Sequence, residues 1–181
     1  MTETSVNDIS ISDELKRHIR DIVDFPISGI VFRDITTLLS NASMFRKTID
    51  AMAAPFREID KVVIIESRGF ILGTPIAYAL GCGVVPVRKV GRLPFETFSE
   101  EYALEYGTAT LEVHKDAIDP GERILIVDDL LATGGTVQAT IKLVRRLGGE
   151  IAGVSVLAEL TALNGRSRTG DVEVRSLVTY D

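Results

Sequence analysis

Hydrophobic and polar positions alternate along this chain in two different periods, and the switch between them lays out the fold. Near the N-terminus, Leu15, Ile19, Ile22 and Val23 fall on one helical face behind Ser12, a residue suited to an N-cap, and Pro26 ends the pattern. A second helical pattern runs from about Ala42 to Arg57, with Phe45, Ile49, Met52 and Phe56 inward. Short apolar runs then alternate with helical patterns. Lys61–Ile65 reads as a buried strand, Gly69–Leu80 as a helix, and Gly83–Val87 as a strand. Ala109–His114 alternates apolar and polar, as a strand with one wet face does. Arg123–Val127 is another apolar strand, and the helix after it runs to Leu147, where Gly148-Gly149 stops it. Ile151–Leu157 and Val172–Thr179 are the last predicted strands. Strands alternating with helices predict an α/β fold, with a central, mainly parallel β-sheet flanked by helices.

The pattern lapses between Arg88 and Gly107. A connection of that length in a compact domain is usually a lid or binding loop, so about 88–107 is expected to be a flexible functional loop, with a plain solvated hairpin as the alternative. No repeat, low-complexity tract or linker divides the chain, and its 181 residues predict a single domain.

The most informative stretch is Arg123-Ile-Leu-Ile-Val-Asp-Asp-Leu-Leu-Ala-Thr-Gly-Gly-Thr136. Its apolar run ends on Asp128 and Asp129, at the strand edge where open α/β sheets bind ligands. Ala132, Thr133, Gly134, Gly135 and Thr136 then open a helix whose uncovered backbone N–H groups suit a phosphate. Two carboxylates beside that loop can accept hydrogen bonds from vicinal sugar hydroxyls, and a sugar 5-phosphate satisfies both halves. No Gly-Lys-Ser/Thr follows, and no G-x-G-x-x-G is present, so neither a Walker A nor a dinucleotide loop fits.

Other segments extend the picture. Glu66-Ser-Arg-Gly-Phe70 follows the first core strand, and Arg68 offers a planar fork of donors for phosphate oxygens. Arg88, Lys89 and Arg92 place three cations within five residues, enough to meet a pyrophosphate. Phe32 packs in the core or stacks on a flat heterocycle, and the residues alone leave these even.

The acidic balance, net charge −6, argues against a general nucleic-acid binder, which needs basic surface. Cys82 is the only cysteine, so an internal disulfide is impossible. The polar, acidic N-terminus is unlike a targeting peptide, and no apolar run reaches membrane-spanning length. These features predict a cytoplasmic protein without a membrane or nucleic-acid partner.

The glycine loop with its acid pair resembles the binding motif for phosphoribosyl pyrophosphate in the type I phosphoribosyltransferases. Over nearly the whole chain the resemblance is to the members that act on adenine. It is carried by Phe25-Pro26 through Gly29-Ile-Val-Phe-Arg-Asp-Ile35, Glu66 to Phe70, Arg88-Lys89 with Gly91, Tyr102 to Gly107, Val127 to Thr136 and Glu159-Leu-Thr161. It implies a type I phosphoribosyltransferase fold with a small base-binding hood, from about 1–40 plus C-terminal elements. It implies an Mg²⁺-dependent purine-salvage enzyme, a homodimer, converting adenine and phosphoribosyl pyrophosphate to AMP and pyrophosphate. The metal would be held mainly through substrate oxygens and water, with no direct protein ligand assigned. Glu105 and Arg68 would be the catalytic residues. Asp128 and Asp129 would hold the ribose, Ala132 to Thr136 the 5-phosphate, and Arg68, Arg88 and Lys89 the pyrophosphate. Val31, Phe32 and Arg33 would meet the base, with Tyr106 beside Glu105. Arg92 stands where the family pattern often has Lys, and the two side chains are not interchangeable. A cis peptide is expected at or next to Ser67–Arg68. An enzyme of this type acting on another base, or a non-catalytic nucleotide sensor on the same fold, are the alternatives.

Overall fold

The computed structural model describes residues 10–103 and 107–181. The chain divides into two compact units, Met1–Thr48 and Ile49–Asp181.

The first unit contains the N-terminal stretch of the expected hood, about 1–40, and none of the C-terminal elements. Helix α1, Ile11–Lys16, is capped by Ser10, whose Oγ accepts from the Asp13 amide. It is shorter than the predicted helix, and the cap lies two residues earlier than Ser12. The apolar residues assigned to its far end, Ile22 and Val23, belong to strand β1, Arg20–Val23, which pairs antiparallel with β2, Val31–Asp34. Four residues cannot settle the period alone. The cross-strand partners Arg20–Asp34 and Asp21–Arg33 are both ion pairs, which favour the ladder over a further helical turn. A cis Phe25–Pro26 bond lies between the strands. Helix α2, Thr36–Leu39, and the start of α3, Ala42–Ala53, complete the unit.

The second unit is a sheet of β3 Lys61–Ile65, β4 Gly83–Lys89, β5 Thr97–Ala103, β6 Thr108–His114, β7 Arg123–Leu131, β8 Glu150–Leu160 and β9 Val174–Tyr180. Their order is β5-β6-β4-β3-β7-β8-β9. The run from β4 to β9 is parallel, whereas β6 meets β4, and β5 meets β6, in antiparallel register. Helix α4, Arg68–Leu80, joins β3 to β4, and α5, Gly135–Leu147, joins β7 to β8. Val62 to Ile65 and Ile124 to Val127 are buried on both faces, which is why these central strands read as continuous apolar runs.

Part of the stretch expected as one long flexible loop is ladder, and 104–106 lie outside the described residues. β4 runs to Lys89, and β5 pairs with β6 in unbroken register from Thr97↔His114 to Ala103↔Thr108. The hairpin also folds over α5, where the Arg146 guanidinium lies 4.0 Å from the Phe98 ring centroid and Lys142 pairs with Glu100. Among the described residues no helix is long and apolar enough to cross a membrane.

Helix α4 lies close on the sheet because of Gly73. A Cβ built there would stand 2.2 Å from Ile64 Cγ2 and 3.3 Å from Val127 Cβ. Gly73→Ala therefore overpacks the core and should cost about 1–3 kcal/mol, read as a lower urea midpoint. An unchanged midpoint would contradict this close packing.

Candidate active site

The crossover through α4 carries the chain from β3 to β4, and the crossover through α5 carries it from β7 to β8, on the other side. β3 and β7 are neighbours, so the strand order reverses between them and opens a crevice at their C-terminal ends. β3 stops pairing with β7 at Ile64↔Val127, while β7 continues against β8 as far as Leu131↔Glu159. Asp128 and Asp129 therefore lie near the strand's C-terminal end, as the apolar run predicted, and the strand itself continues to Leu131. The strand persists because the β8 ladder holds it there and Leu131 is buried in the core.

Both carboxylates are buried, at 7% and 6% exposure. The Asp129 amide donates to Asp128 Oδ1 at 2.9 Å, and Arg68 Nε stands 2.9 Å from Asp129 Oδ2. Burial pushes the Asp128 carboxyl well above the usual carboxylate range, and the neighbouring Asp129 charge adds to the shift. Burial also raises Asp129, against the pull of the Arg68 guanidinium. Gly69 lets α4 approach, since a Cβ there would stand 3.0 Å from Asp128 Oδ1. The bond before Ser67 is a cis peptide, Glu66–Ser67, at the place the resemblance implied.

The chain bends through Ala132–Gly134 and enters α5 at Gly135. Gly134 has φ +82°, a left-handed conformation that L side chains rarely adopt, and no side chain caps the helix. The first-turn N–H groups thus have no side-chain acceptor at the cap, and a phosphate oxygen is their natural partner. Gly134 and Gly135 are buried, whereas Ala132, Thr133 and Thr136 are half-buried around them.

The basic segment is organised by two carboxylates. Glu66 accepts from Arg88 Nη2 at 2.9 Å, Arg88 Nε at 3.3 Å and the Lys89 amide at 3.0 Å. The Arg88 bonds hold its carboxyl below the usual range. Lys89 and Arg92 are exposed. Glu112, only 4% exposed, accepts from the Arg92 and Leu93 amides, both at 2.8 Å, and from Thr97 Oγ1 at 3.3 Å. Burial pushes its carboxyl up, but the Leu93, Arg92 and Gly91 amides outweigh that and leave it below the usual range. The alternating pattern placed Glu112 on a wet strand face. Two of its partners are backbone amides of the turn after β4, which leave no mark in side-chain sequence. Tyr102 on β5 is a further residue the pattern did not single out. Burial raises its phenol, and the Asp128 charge acts in the same direction.

In the first unit, Val31 is exposed, and Phe32 is half-buried with Phe25 edge-on to it, ring centroids 5.3 Å apart. Arg33 pairs with the Asp21 carboxylate across the ladder. Glu105 and Tyr106 lie outside the described residues. Among the described residues, no three His, Cys, Asp or Glu side chains gather closely enough to hold a metal. Asp128 and Asp129 supply hard oxygen donors, which suits a divalent cation bound mostly by phosphates and water. A shallow hollow lined by Asp50, Phe56, Arg57, Glu58 and Leu80 lies at the opposite, N-terminal edge of the parallel strands.

Open sheets of this kind carry many chemistries, so the comparison with known proteins decides the class. The phosphoribosyl transferase domain family matches residues 34–181, a span that contains the acid pair, the glycine loop and the Arg88 segment. The fold is that of a type I phosphoribosyltransferase. Adenine phosphoribosyltransferases from Geobacter metallireducens and Thermobifida fusca are 58% and 54% identical to the chain. Each alignment covers 93% of it and 99% or 97% of the relative. The crystal structure of adenine phosphoribosyltransferase from Rhodothermus marinus is 52% identical, covers 94% of this chain and 98% of that one, and superposes with a TM-score of 0.90. The Saccharomyces cerevisiae enzyme, solved with adenine and an imino-altritol bisphosphate, is 40% identical over 92% of this chain and 98% of its own, with a TM-score of 0.88. The chain belongs to the adenine phosphoribosyltransferase family.

The buried acid pair makes a prediction about the ligand-free protein. A carboxyl whose folded pKa lies above its unfolded value binds more protons folded than unfolded, so stability falls as pH rises through that window, beginning near the ordinary value of about 3.9. Asp128→Asn keeps the oxygen that the Asp129 amide uses and removes one of two facing charges. It should flatten that slope and raise the unfolding temperature at pH 8, by roughly 2–4 °C per kcal/mol gained. Thermal unfolding between pH 4 and 8 measures both, and a variant less stable than wild type at pH 8 would contradict the reading.

Proposed function

We propose that this chain transfers the phosphoribosyl group of phosphoribosyl pyrophosphate to adenine, giving AMP and pyrophosphate, in purine salvage. The single observation that carries this is the juxtaposition of the buried Asp128–Asp129 pair with the uncapped glycine loop of α5 at the switch point. The close similarity to adenine phosphoribosyltransferases supports the choice of base.

The carboxylates of Asp128 and Asp129 accept from the ribose hydroxyls, and Ala132 to Thr136 wrap the 5-phosphate. The C1–O bond to pyrophosphate breaks as a ring nitrogen of adenine bonds to C1, so positive charge develops on the sugar and negative charge on the leaving group. Arg68, Arg88 and Lys89 stabilise that leaving group, with Arg92 an outer contact. Glu66 presents Arg88 along one edge of its guanidinium, through Nε and Nη2. Mg²⁺ would supply further neutralisation of the leaving group's charge, with Asp128 and Asp129 as the hard oxygen donors nearest to it. Val31, Phe32 and Arg33 recognise the base, Glu105 takes the ring proton, and Tyr106 flanks it. The stem of the hairpin is anchored on α5 through Phe98 and Glu100, and exclusion of water from the site protects the activated sugar from hydrolysis.

We further propose a homodimer. Helix α4 turns Ile71 and the 90%-exposed Tyr78 outward, one face seven residues apart, and Val84 is also exposed. Sedimentation equilibrium reads the assembly, and a monomer at micromolar concentration would refute it. We also propose a cytoplasmic site of action, since a multiply charged sugar phosphate does not cross membranes unaided.

The test is a panel of adenine, hypoxanthine, guanine, xanthine and orotate with phosphoribosyl pyrophosphate and Mg²⁺. Nucleotide should form from adenine alone, and stop on chelation with EDTA. Turnover of another base would overturn the specificity, and turnover without divalent metal would overturn the Mg²⁺ dependence. Glu105→Ala should lower kcat by roughly 10²–10⁴-fold, the range of a lost general acid–base. An unchanged kcat would remove that role.

A further inference from the structure

The phosphate loop rests on a second stretch of chain that the reaction scheme does not use. A 3-10 turn, Gly165–Arg168, packs its backbone directly against the loop. A Cβ on Gly134 would stand 2.4 Å from Gly165 O, and one on Gly165 would stand 2.3 Å from Ala132 O and 3.1 Å from Gly134 N. Each of these glycines is what lets the other segment approach, and neither backbone can shift without moving its neighbour.

What fixes the turn is the next residue. Arg166 donates from Nε to Glu159 Oε1 and from Nη2 to Glu159 Oε2, both at 2.7 Å. Its Nη1 donates to Val174 O at 2.7 Å, and Nη2 also reaches Ser176 Oγ at 3.1 Å. Ser176 Oγ donates in turn to Glu159 Oε2 at 2.8 Å. Glu159 is 5% exposed and sits on β8 opposite Leu131, the last residue of β7 before the loop. A bidentate guanidinium–carboxylate pair with one partner buried has directional stiffness that an exposed ion pair lacks. The guanidinium thus ties β8 and β9 to the turn that backs Gly134.

We propose that Glu159 and Arg166 are positioning residues for the phosphate site, holding the Gly165 turn as a rigid back wall so that the Ala132–Gly135 backbone keeps the curvature that takes a phosphate monoester. This rests on the reading of that loop as the 5-phosphate site. Neither side chain touches substrate in this scheme. Their effect is on the shape of the loop, and it is confined to ligands that carry the phosphate.

The experiment measures ribose 5-phosphate binding by calorimetry, and KM for phosphoribosyl pyrophosphate and for adenine, in wild type, Glu159→Gln, Arg166→Lys and Gly165→Ala. Glu159→Gln keeps the shape and loses the charge, while Arg166→Lys keeps the charge and loses the fork. Both should weaken ribose 5-phosphate binding and raise KM for phosphoribosyl pyrophosphate by roughly 10-fold, the lower end of what supporting partners cost in other anchored sites. KM for adenine should stay within about twofold. Gly165→Ala tests the same contact directly and should show the same selective loss even if Glu159→Gln fails to fold. Wild-type binding in the folded variants would overturn the proposal. So would equal losses for both substrates, the mark of general destabilisation. Failure of wild-type enzyme itself to bind ribose 5-phosphate would instead remove the 5-phosphate reading, and the positioning role with it.

Discussion

Two like charges adjacent in sequence and out of water set the terms for the rest of this site. Asp128 and Asp129 lie past the last β3 partner of β7, at the mouth of the crevice, while their backbone stays in the β8 ladder. Leaving such a pair buried is unfavourable, as the raised carboxyls record. Arg68 at the start of α4 and the amide of Asp129 offset part of that cost. Under the proposed function the ribose hydroxyls would offset more of it, by donating to these carboxylates. The same logic explains why Gly69 and Gly73 lie on the face of α4 that meets these strands. The helix must come close enough to bring Arg68 to the acids.

Around this centre, carboxylates recur as organisers of positive groups. Glu66 fixes Arg88 and the Lys89 amide, Glu112 gathers the amides of the turn that follows, and Glu159 anchors Arg166 behind the phosphate loop. Each is largely removed from solvent, and each is held below the usual carboxylate range by its donors. A chain with net charge −6 can thus bind a polyanion. Its acidic groups orient donors, so the local field around the glycine loop and the Arg88 segment differs in sign from the overall charge.

The central strands were legible because burial on both faces writes itself as an unbroken apolar run, as in Lys61–Ile65, where predicted and observed limits coincide. The acid pair and glycine loop were legible because their chemistry departs so far from that background. The N-terminal helix was overextended because Ile22 and Val23 fit a helical period, while the ladder that claims them depends on Arg33 and Asp34, more than ten residues away. The β5 strand escaped notice because its pattern is broken by Ser99, Glu100 and Glu101, and its packing partners Lys142 and Arg146 lie on α5. Gly165 carried no signal at all. Its role is backbone contact with Gly134, visible only once both segments are placed in space.

The measurement closest to the central claim is calorimetric titration of phosphoribosyl pyrophosphate with Mg²⁺ into wild type and into the double variant Asp128→Asn/Asp129→Asn. If the acid pair holds the ribose, two charged hydrogen-bond acceptors are lost, each worth about 1.5 kcal/mol at the low end, and Kd should weaken by roughly 100-fold. A folded double variant that binds as tightly as wild type would show that the buried carboxylates do not hold the sugar, and the account built on them would fail.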